Sequence, residues 1–134
     1  MKLLPVKHPL VPRGSEWILL FIVVLVLSKC NPVVQIEDFD SGSWKQDRLG
    51  CQGIRLNQEE TLWLNREQLM DISENQIIQL LGKPNHTELY VRNQKFLVYY
   101  VGASKDCANG SKMPRSLLIR FDALNYSNEI SMRN

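Results

Sequence analysis

Three cysteines, at positions 30, 51 and 107, are the residues of this 134-residue chain with the widest range of chemistry. Outside the cytoplasm a cysteine carries a lipid, forms a disulfide or acts as a nucleophile. A nucleophilic Cys107 would lie beside Asp106, but His86 is the sole histidine after residue 8 and stands about twenty residues away. A reactive thiol is therefore the least favoured role for Cys107.

An unbroken apolar run of eleven residues, from Trp17 to Leu27, follows a basic N-terminal stretch and precedes Cys30. A helix of that length rises about 17 Å, roughly half of the hydrocarbon core of a bilayer, so the run predicts a secretory signal peptide over residues 1–29. Residues 27–30, Leu-Ser-Lys-Cys, resemble a bacterial lipobox, which predicts that Cys30 carries the lipid. Simple cleavage and an uncleaved anchor are the two alternatives.

With Cys30 assigned to the lipid, Cys51 and Cys107 remain as a pair. In an exported protein such a pair favours a disulfide. Closing a loop of about 57 residues stabilises a small domain by roughly 4 kcal/mol on the chain-entropy model. The bridge would hold the start of the domain to the loop between its last predicted strands.

The charge balance and the motif content argue against several classes of function. Residues 30–134 hold 12 basic and 13 acidic side chains, because residues 1–29 take four of the 16 basic residues and one of the 14 acidic ones. A nearly neutral domain without a basic stripe gives no electrostatic reason to expect nucleic acid. Asp38 and Asp40 fit a solvated tether better than a cation site. We expect a non-catalytic protein with no metal, cofactor or small-molecule substrate.

Local patterns predict an α+β domain over residues 51–134, preceded by a tether or irregular entry segment over residues 30–50, and Trp44 and Leu49 are expected to begin the packed part. Strong helix formers between Gly53 and Leu69 predict a first helix. Its apolar stripe has sevenfold spacing and consists of Leu56, Trp63 and Met70.

The second predicted helix has clear end signals. Ser73 and Gln76 form a capping-box pattern at its start, and Gly82 with Pro84 ends it after Leu81.

Three strands are predicted after these helices. Their ranges are His86–Val91, Lys95–Val101 and Ser116–Asp122. The alternation places Leu117, Ile119 and Phe121 toward the helices, and Leu89 with Val91 is expected to do the same. The predicted fold is two helices on one face of a three-stranded antiparallel meander, in the order ααβββ. Ile130 and Met132 suggest a short further strand.

A family resemblance rests on three segments, which read Leu80-Leu81-Gly82-Lys83-Pro84-Asn85, Tyr99-Tyr100-Val101 and Leu117-Leu118-Ile119-Arg120-Phe121-Asp122. Together they resemble the SmpA/OmlA (BamE-like) small lipoproteins over about residues 55–122. In that family the Leu-Gly-x-Pro step turns the second helix into the first strand. The resemblance implies a lipid-tethered domain of this fold that binds an envelope protein partner, in the assembly or maintenance of the outer membrane.

Aromatic rings interleaved with arginines predict a protein-binding surface on the sheet face turned away from the helices. The residues predicted there are Tyr90, Arg92, Arg120 and one of Tyr99 or Tyr100. The loop over residues 102–115 offers a second candidate surface, through Lys112 and Arg115.

The leading interpretation is a non-catalytic lipoprotein of the cell envelope, anchored to a membrane by its lipid and facing the periplasm or exterior. The alternative is a secreted inhibitor or ligand-sensing domain, because the helix-and-meander pattern also resembles β-lactamase-inhibitor-like proteins. A small enzyme is the third and least favoured interpretation.

Overall fold

The computed structural model describes residues 32–134, so the signal peptide expected over 1–29 and the lipid expected on Cys30 lie outside the described residues. Within 32–134, no helix is both long enough and apolar enough to cross a bilayer. The helices are α1 (Ser41–Gln46), α2 (Ile54–Leu64) and α3 (Glu74–Leu81), with a 3₁₀-helix at Arg66–Leu69. The strands are β1 (His86–Leu89), β2 (Lys95–Tyr100), β3 (Ser116–Phe121) and β4 (Ser127–Arg133).

The strands form one antiparallel sheet in the order β1-β2-β3-β4. The mixed α+β class is confirmed, but the meander has four strands rather than three. The fourth strand gives a weak sequence signal, because it contains polar residues such as Ser127 and Ser131 and is mostly half-buried. The turn before it is held by Asp122, whose carboxylate accepts hydrogen bonds from the amides of Leu124 and Tyr126 at 2.9 and 3.0 Å.

One face of the sheet, the inner face, packs against the helices and contains the core. The predicted burial of Leu117, Ile119 and Phe121 on this face is confirmed. The core draws on both layers and consists of Ile36, Trp44, Leu62, Leu69, Ile77, Leu80, Leu81, Leu97, Tyr99, Val101, Leu117, Ile119 and Phe121. The opposite face is called the outer face below.

The expected tether over residues 30–50 is wrong from Ile36 onward. Ile36 is 6% exposed and Trp44, in α1, is completely buried. The carboxylate of Asp40 caps α1 by accepting hydrogen bonds from the amides of Gly42 and Ser43 at 2.9 and 3.1 Å. A short helix therefore forms where the turn-rich composition suggested irregular chain, and it places one large aromatic side chain in the core.

The first predicted helix has a different buried face from the one its apolar residues suggest. Leu56 is 51% exposed and Trp63 is 39% exposed, whereas the positions one residue earlier, Arg55 and Leu62, are buried. Leu69 continues this buried series at the same sevenfold spacing, although α2 itself ends at Leu64. The buried face of the first helix is therefore displaced by one residue from the predicted apolar stripe. The sequence pattern did not indicate this, because the buried series includes the charged Arg55.

The second predicted helix is confirmed in detail. Ser73 and Gln76 make both hydrogen bonds of a capping box, and Ile77, Leu80 and Leu81 are buried. Gly82 ends the helix with a φ of 77°, and its amide donates to the carbonyl of Ile78 at 2.8 Å.

The hairpin between β1 and β2 turns at Arg92 and Asn93, whose φ angles of 56° and 60° fit the tight turns that join antiparallel strands. The register places Leu89 on the inner face, opposite Lys95, but the expectation that Leu89 and Val91 pack against the helices is wrong, because Leu89 is 88% exposed and Val91 is 62% exposed. Leu89 pairs with Lys95, whose ammonium binds Glu74 at the first residue of α3. The helix layer ends at this level, and the hairpin continues beyond it.

Candidate functional site

The predicted disulfide is present, and it joins Cys51 to Cys107 with 5.3 Å between the two Cα atoms. It ties the segment between α1 and α2 to the loop of residues 102–115. The same contact is reinforced by the amide of Ser104, which donates to the carbonyl of Leu49 at 3.0 Å. Gly50 has a φ of 72°, and a side chain there would overlap the carbonyl of Gly102. The long loop is therefore pinned to the domain, as the predicted disulfide implied.

A buried arginine organises the centre of the molecule. The side chain of Arg55 is only 1% exposed. Its Nε donates to the carbonyl of Trp44 at 2.9 Å, and its Nη1 donates to the carbonyl of Tyr100 at 3.0 Å. Its guanidinium also lies over the Trp44 ring, 4.8 Å from the ring centroid. Burial lowers the pKa of Arg55 to about 10, and the nearby carboxylate of Asp47 partly opposes that change.

Asp47 and Asn85 complete this polar cluster. The carboxylate of Asp47 is buried and accepts hydrogen bonds from the first amides of α2, those of Ile54 at 2.9 Å and Arg55 at 3.3 Å. The side-chain oxygen of Asn85 accepts from Arg55 Nη1 at 3.2 Å and from the amide of Tyr100 at 2.8 Å. The cluster joins α1 and α2 to the segment just before β1 and to the end of β2. Its chemistry is structural, because its donors and acceptors are used within the domain.

The outer face of the sheet carries the aromatic and charged side chains expected of a binding surface. The register places Phe96 opposite both Glu88 and Arg120, so these three side chains share the outer face. Tyr90 packs edge-on against Phe96, with 5.5 Å between the ring centroids. Tyr90 and Arg120, the two residues that the sequence placed at the centre of this surface, are therefore both neighbours of Phe96 on this face.

Both arginines of the outer face are paired with carboxylates. Arg120 Nη2 lies 2.9 Å from Glu129 Oε2, and Arg120 Nε donates to Asn128 Oδ1 at 3.1 Å. Arg133 donates to both oxygens of Glu88, at 2.7 and 2.8 Å. Because β1 and β4 are the two edges of the sheet, the Glu88–Arg133 pair spans the outer face from one edge strand to the other.

The Glu88–Arg133 pair changes the acidity of both partners. The hydrogen bonds from Arg133, with a smaller contribution from His86, lower the pKa of Glu88 to about 2. The same hydrogen bonds raise the pKa of Arg133. His86 Nε2 lies 3.0 Å from Glu88 Oε1, and the His86 ring lies 5.7 Å from that of Tyr100. The two arginines of the outer face, Arg120 and Arg133, are thus each neutralised by a glutamate of the same face.

Two of the predicted surface residues occupy other places. Tyr99 is completely buried, and its hydroxyl donates to the carbonyl of Gly82 at 3.0 Å. Burial raises the pKa of that phenol. Tyr99 is therefore excluded from the binding surface, because the strand alternation turns it inward and leaves Tyr100 outward and half-buried. Arg92 is exposed in the hairpin turn rather than on the sheet face.

The loop residues Lys112 and Arg115 lie at the end of the sheet opposite the β1–β2 turn. Arg115 Nε donates to both carboxylate oxygens of Glu59, at 2.9 and 2.8 Å, and this pairing raises the pKa of Arg115. Its Nη1 also donates to Asn134. Arg115 is therefore engaged with α2. Lys112 is exposed and lines a cavity of about 170 Å³ with His86 and Tyr100.

Sequence reasoning missed the polar cluster around Arg55. The signal was present in the spacing, because Arg55 precedes Leu62 and Leu69 at the sevenfold interval of the buried face. This series is inconspicuous in the sequence because it begins with a charged residue, whereas the series one position later contains the apolar side chains of Leu56 and Trp63.

No set of three or more His, Cys, Asp or Glu side chains in residues 32–134 is arranged to hold a metal ion. The chain matches no protein-family model, no curated protein and no solved structure.

Proposed function

We propose that this chain is a non-catalytic lipoprotein of the cell envelope, anchored through Cys30, whose folded domain binds an envelope protein through the outer face of its sheet. The observation that carries the proposal is the grouping of Tyr90, Phe96 and Arg120 on the face of the sheet opposite the core. Tyrosine and arginine are enriched at the centres of protein interfaces.

The disulfide supports the export that the proposal requires. Structural disulfides persist in oxidising compartments and are rare in the cytosol. The bond between Cys51 and Cys107 joins the segment between α1 and α2 to the loop of residues 102–115, so its role is to stabilise the domain. It also leaves Cys30 without a partner among the cysteines of the chain, as a lipid-bearing cysteine should be.

The order of elements supports the proposed relationship to the SmpA/OmlA lipoproteins. From Ile54 to Phe121 the chain runs through two helices and then three antiparallel strands, which is the order the resemblance implies. The Leu-Gly-x-Pro step at Leu81, Gly82 and Pro84 separates the helices from the sheet. A role in outer-membrane assembly or maintenance is part of the proposal.

The outer face is tested by capture of partners from detergent-solubilised native membranes. The Tyr90→Ala, Arg120→Ala double variant removes one ring and one guanidinium from the face, while Lys112→Ala changes the opposite end of the domain. We expect the double variant to keep its melting temperature within a few degrees and to lose an envelope protein that the wild type captures. The Lys112→Ala variant should retain that protein.

Two results would overturn this assignment. Loss of the captured protein in Lys112→Ala, with retention in the double variant, would place the binding surface on the loop of residues 102–115. A full-length protein recovered free of lipid in the exterior fraction would instead favour the secreted inhibitor or ligand-sensing domain.

A further inference from the structure

Exposed apolar side chains are concentrated at one end of the sheet. Leu89 is 88% exposed and Val91 is 62% exposed beside the β1–β2 turn, and Leu124 is 77% exposed in the β3–β4 turn. Lys95 pairs with both Leu89 and Phe121, so the two turns extend from the same end of the sheet. The two turns, at residues 89–94 and 122–126, are called the hairpin end below, and together they expose three large aliphatic side chains.

The N-terminal part of the described chain reaches the same end. The carbonyl of Pro32 accepts a hydrogen bond from Gln76 Nε2, in the first turn of α3, at 3.1 Å. That turn of α3 also contacts the hairpin end, because the amide of Glu74 donates to the carbonyl of Asn125 at 3.0 Å. The carboxylate of Glu74 binds Lys95, at the first residue of β2, at 2.7 Å. Pro32 is therefore placed beside the first turn of α3, which itself contacts the β3–β4 turn and Lys95.

We propose that the hairpin end lies against the lipid bilayer in which Cys30 is anchored, with Leu89, Val91 and Leu124 inserted among the lipids. The inference rests on the proposed function for its anchor. Cys30 precedes Pro32 by two residues, and an extended chain advances at most about 3.5 Å per residue. A lipid on Cys30 would thus be attached within roughly 7 Å of Pro32, which lies at the end of α3 that contacts the β3–β4 turn.

The surroundings of these side chains fit a lipid surface. Tyr126, which is 49% exposed, lies in the same end and has the ring and hydroxyl that favour the boundary between lipid and water. Lys95 is neutralised by Glu74, and Arg92 is exposed in the turn. Contact with the bilayer would therefore depend on the insertion of apolar side chains. Such a contact would add to the membrane affinity that the lipid anchor provides. Tyr90 would then border the bilayer, while the part of the outer face around Arg120 and Arg133 and the loop of residues 102–115 would stay accessible to a partner.

The test uses the protein purified from membranes with the N-terminus it carries there, reconstituted in phosphatidylcholine vesicles. Leu124→Trp places a fluorescent ring at the hairpin end, and Met113→Trp is a matched control, because Met113 is 74% exposed in the loop at the opposite end. Emission is compared with and without doxyl-labelled lipids, after subtraction of the wild-type signal. Leu89→Trp provides a second position in the other turn should Leu124→Trp fail to fold.

We expect the added emission of Leu124→Trp to shift to shorter wavelength and to be quenched by doxyl lipids, while that of Met113→Trp is unchanged. Equal quenching at the two positions, or none at either, would overturn the inference. A blue shift without quenching would overturn it as well, because protein rather than lipid would then cover the turn. Quenching at Leu124 in protein that mass analysis finds without lipid on Cys30 would refute the proposed anchor and leave the bilayer contact standing.

Discussion

The side-chain oxygen of Asn85 accepts a hydrogen bond from the buried guanidinium of Arg55 at 3.2 Å, and this contact joins the first residue after the helix-ending proline to the middle of the domain. The same oxygen accepts from the amide of Tyr100, and Asn85 Nδ2 donates to the carbonyl of Arg48 at 2.8 Å. The Gly82-Lys83-Pro84-Asn85 segment therefore does more than stop α3. It also holds the start of β1 against α2, because Asn85 binds the buried guanidinium of Arg55.

Replacing Arg55 should destabilise the domain strongly. Arg55→Met leaves the carbonyls of Trp44 and Tyr100 without their donor in a buried site, and we expect a loss of about 3 kcal/mol in the free energy of unfolding. Urea unfolding measures the loss. Arg92→Met is the control, because Arg92 is exposed in the β1–β2 turn and its change should stay within about 0.5 kcal/mol. Equal effects of the two substitutions would contradict the role given to Arg55.

The contact between Arg55 and Asn85 is tested separately by a double-mutant cycle. Asn85→Ala, Arg55→Met and the double variant should show a coupling of about 1 kcal/mol, because the two side chains share one hydrogen-bonded cluster. Additive effects would mean that Asn85 acts only through its contacts with Tyr100 and Arg48.

Reduction of the Cys51–Cys107 bond should lower the stability of the domain without unfolding it at low temperature. The bond closes a loop with a sequence separation of 56, for which the chain-entropy model gives about 4 kcal/mol. Thermal unfolding with and without a reductant measures the difference, and the Cys51→Ser, Cys107→Ser variant should match the reduced wild type. A melting temperature that is unchanged by reductant, together with free thiols in protein from cells, would contradict the bridge.

The buried face of α2 predicts opposite outcomes for two leucines in one helix. Leu62→Ala removes a side chain that is 2% exposed and should cost about 3 kcal/mol. Leu56→Ala changes a side chain that is 51% exposed and should cost under about 1 kcal/mol. Urea unfolding of the two variants distinguishes this face from the stripe of Leu56 and Trp63. The reverse ranking would restore the stripe as the core contact.

The stability of the domain should fall in acid in part through Glu88. Its folded-state pKa of about 2 lies below the ordinary value of 4.5, so its contribution is complete above pH 4.5 and is lost as the pH falls toward 2. Glu88→Gln should therefore flatten the decline in unfolding free energy between pH 4.5 and 2. Added salt should weaken the wild-type effect, because the pair is partly exposed.

The matched control for this pH series is Glu60→Gln. Glu60 is exposed and makes no ion pair with another residue of the described chain, so its replacement should leave the acid profile nearly unchanged. Parallel profiles for Glu88→Gln and the wild type would show that the pair with Arg133 does not form in solution.

The sequence predicted those features that depend on local chemistry or on residue type. The capping box at Ser73 and Gln76, the alternation at Leu117 and Ile119, and the pairing of the two cysteines left by Cys30 all belong to this group. Each of them is specified by side chains close in sequence or by the scarcity of the residue type.

Features that depend on how the layers meet could not be predicted in the same way. Which of Tyr99 and Tyr100 faces outward could be decided only from the strand register. The exposure of Leu89 depends on where the helix layer ends, which is at Glu74. Arg55 lies in the core because three acceptors from separate elements meet there. They are the carbonyl of Trp44 in α1, the side-chain oxygen of Asn85 just before β1 and the carbonyl of Tyr100 at the end of β2. No local sequence pattern reveals this convergence.

The central claim is that Cys30 anchors an exported domain, and intact-mass analysis of the protein extracted from membranes tests it most directly. Our account predicts a chain that begins at Cys30, carries the added mass of acyl chains and retains the Cys51–Cys107 bond. The Cys30→Ser variant should be released from the membrane or remain unprocessed. An unmodified Cys30 still attached to residues 1–29 in the purified membrane form would contradict the account.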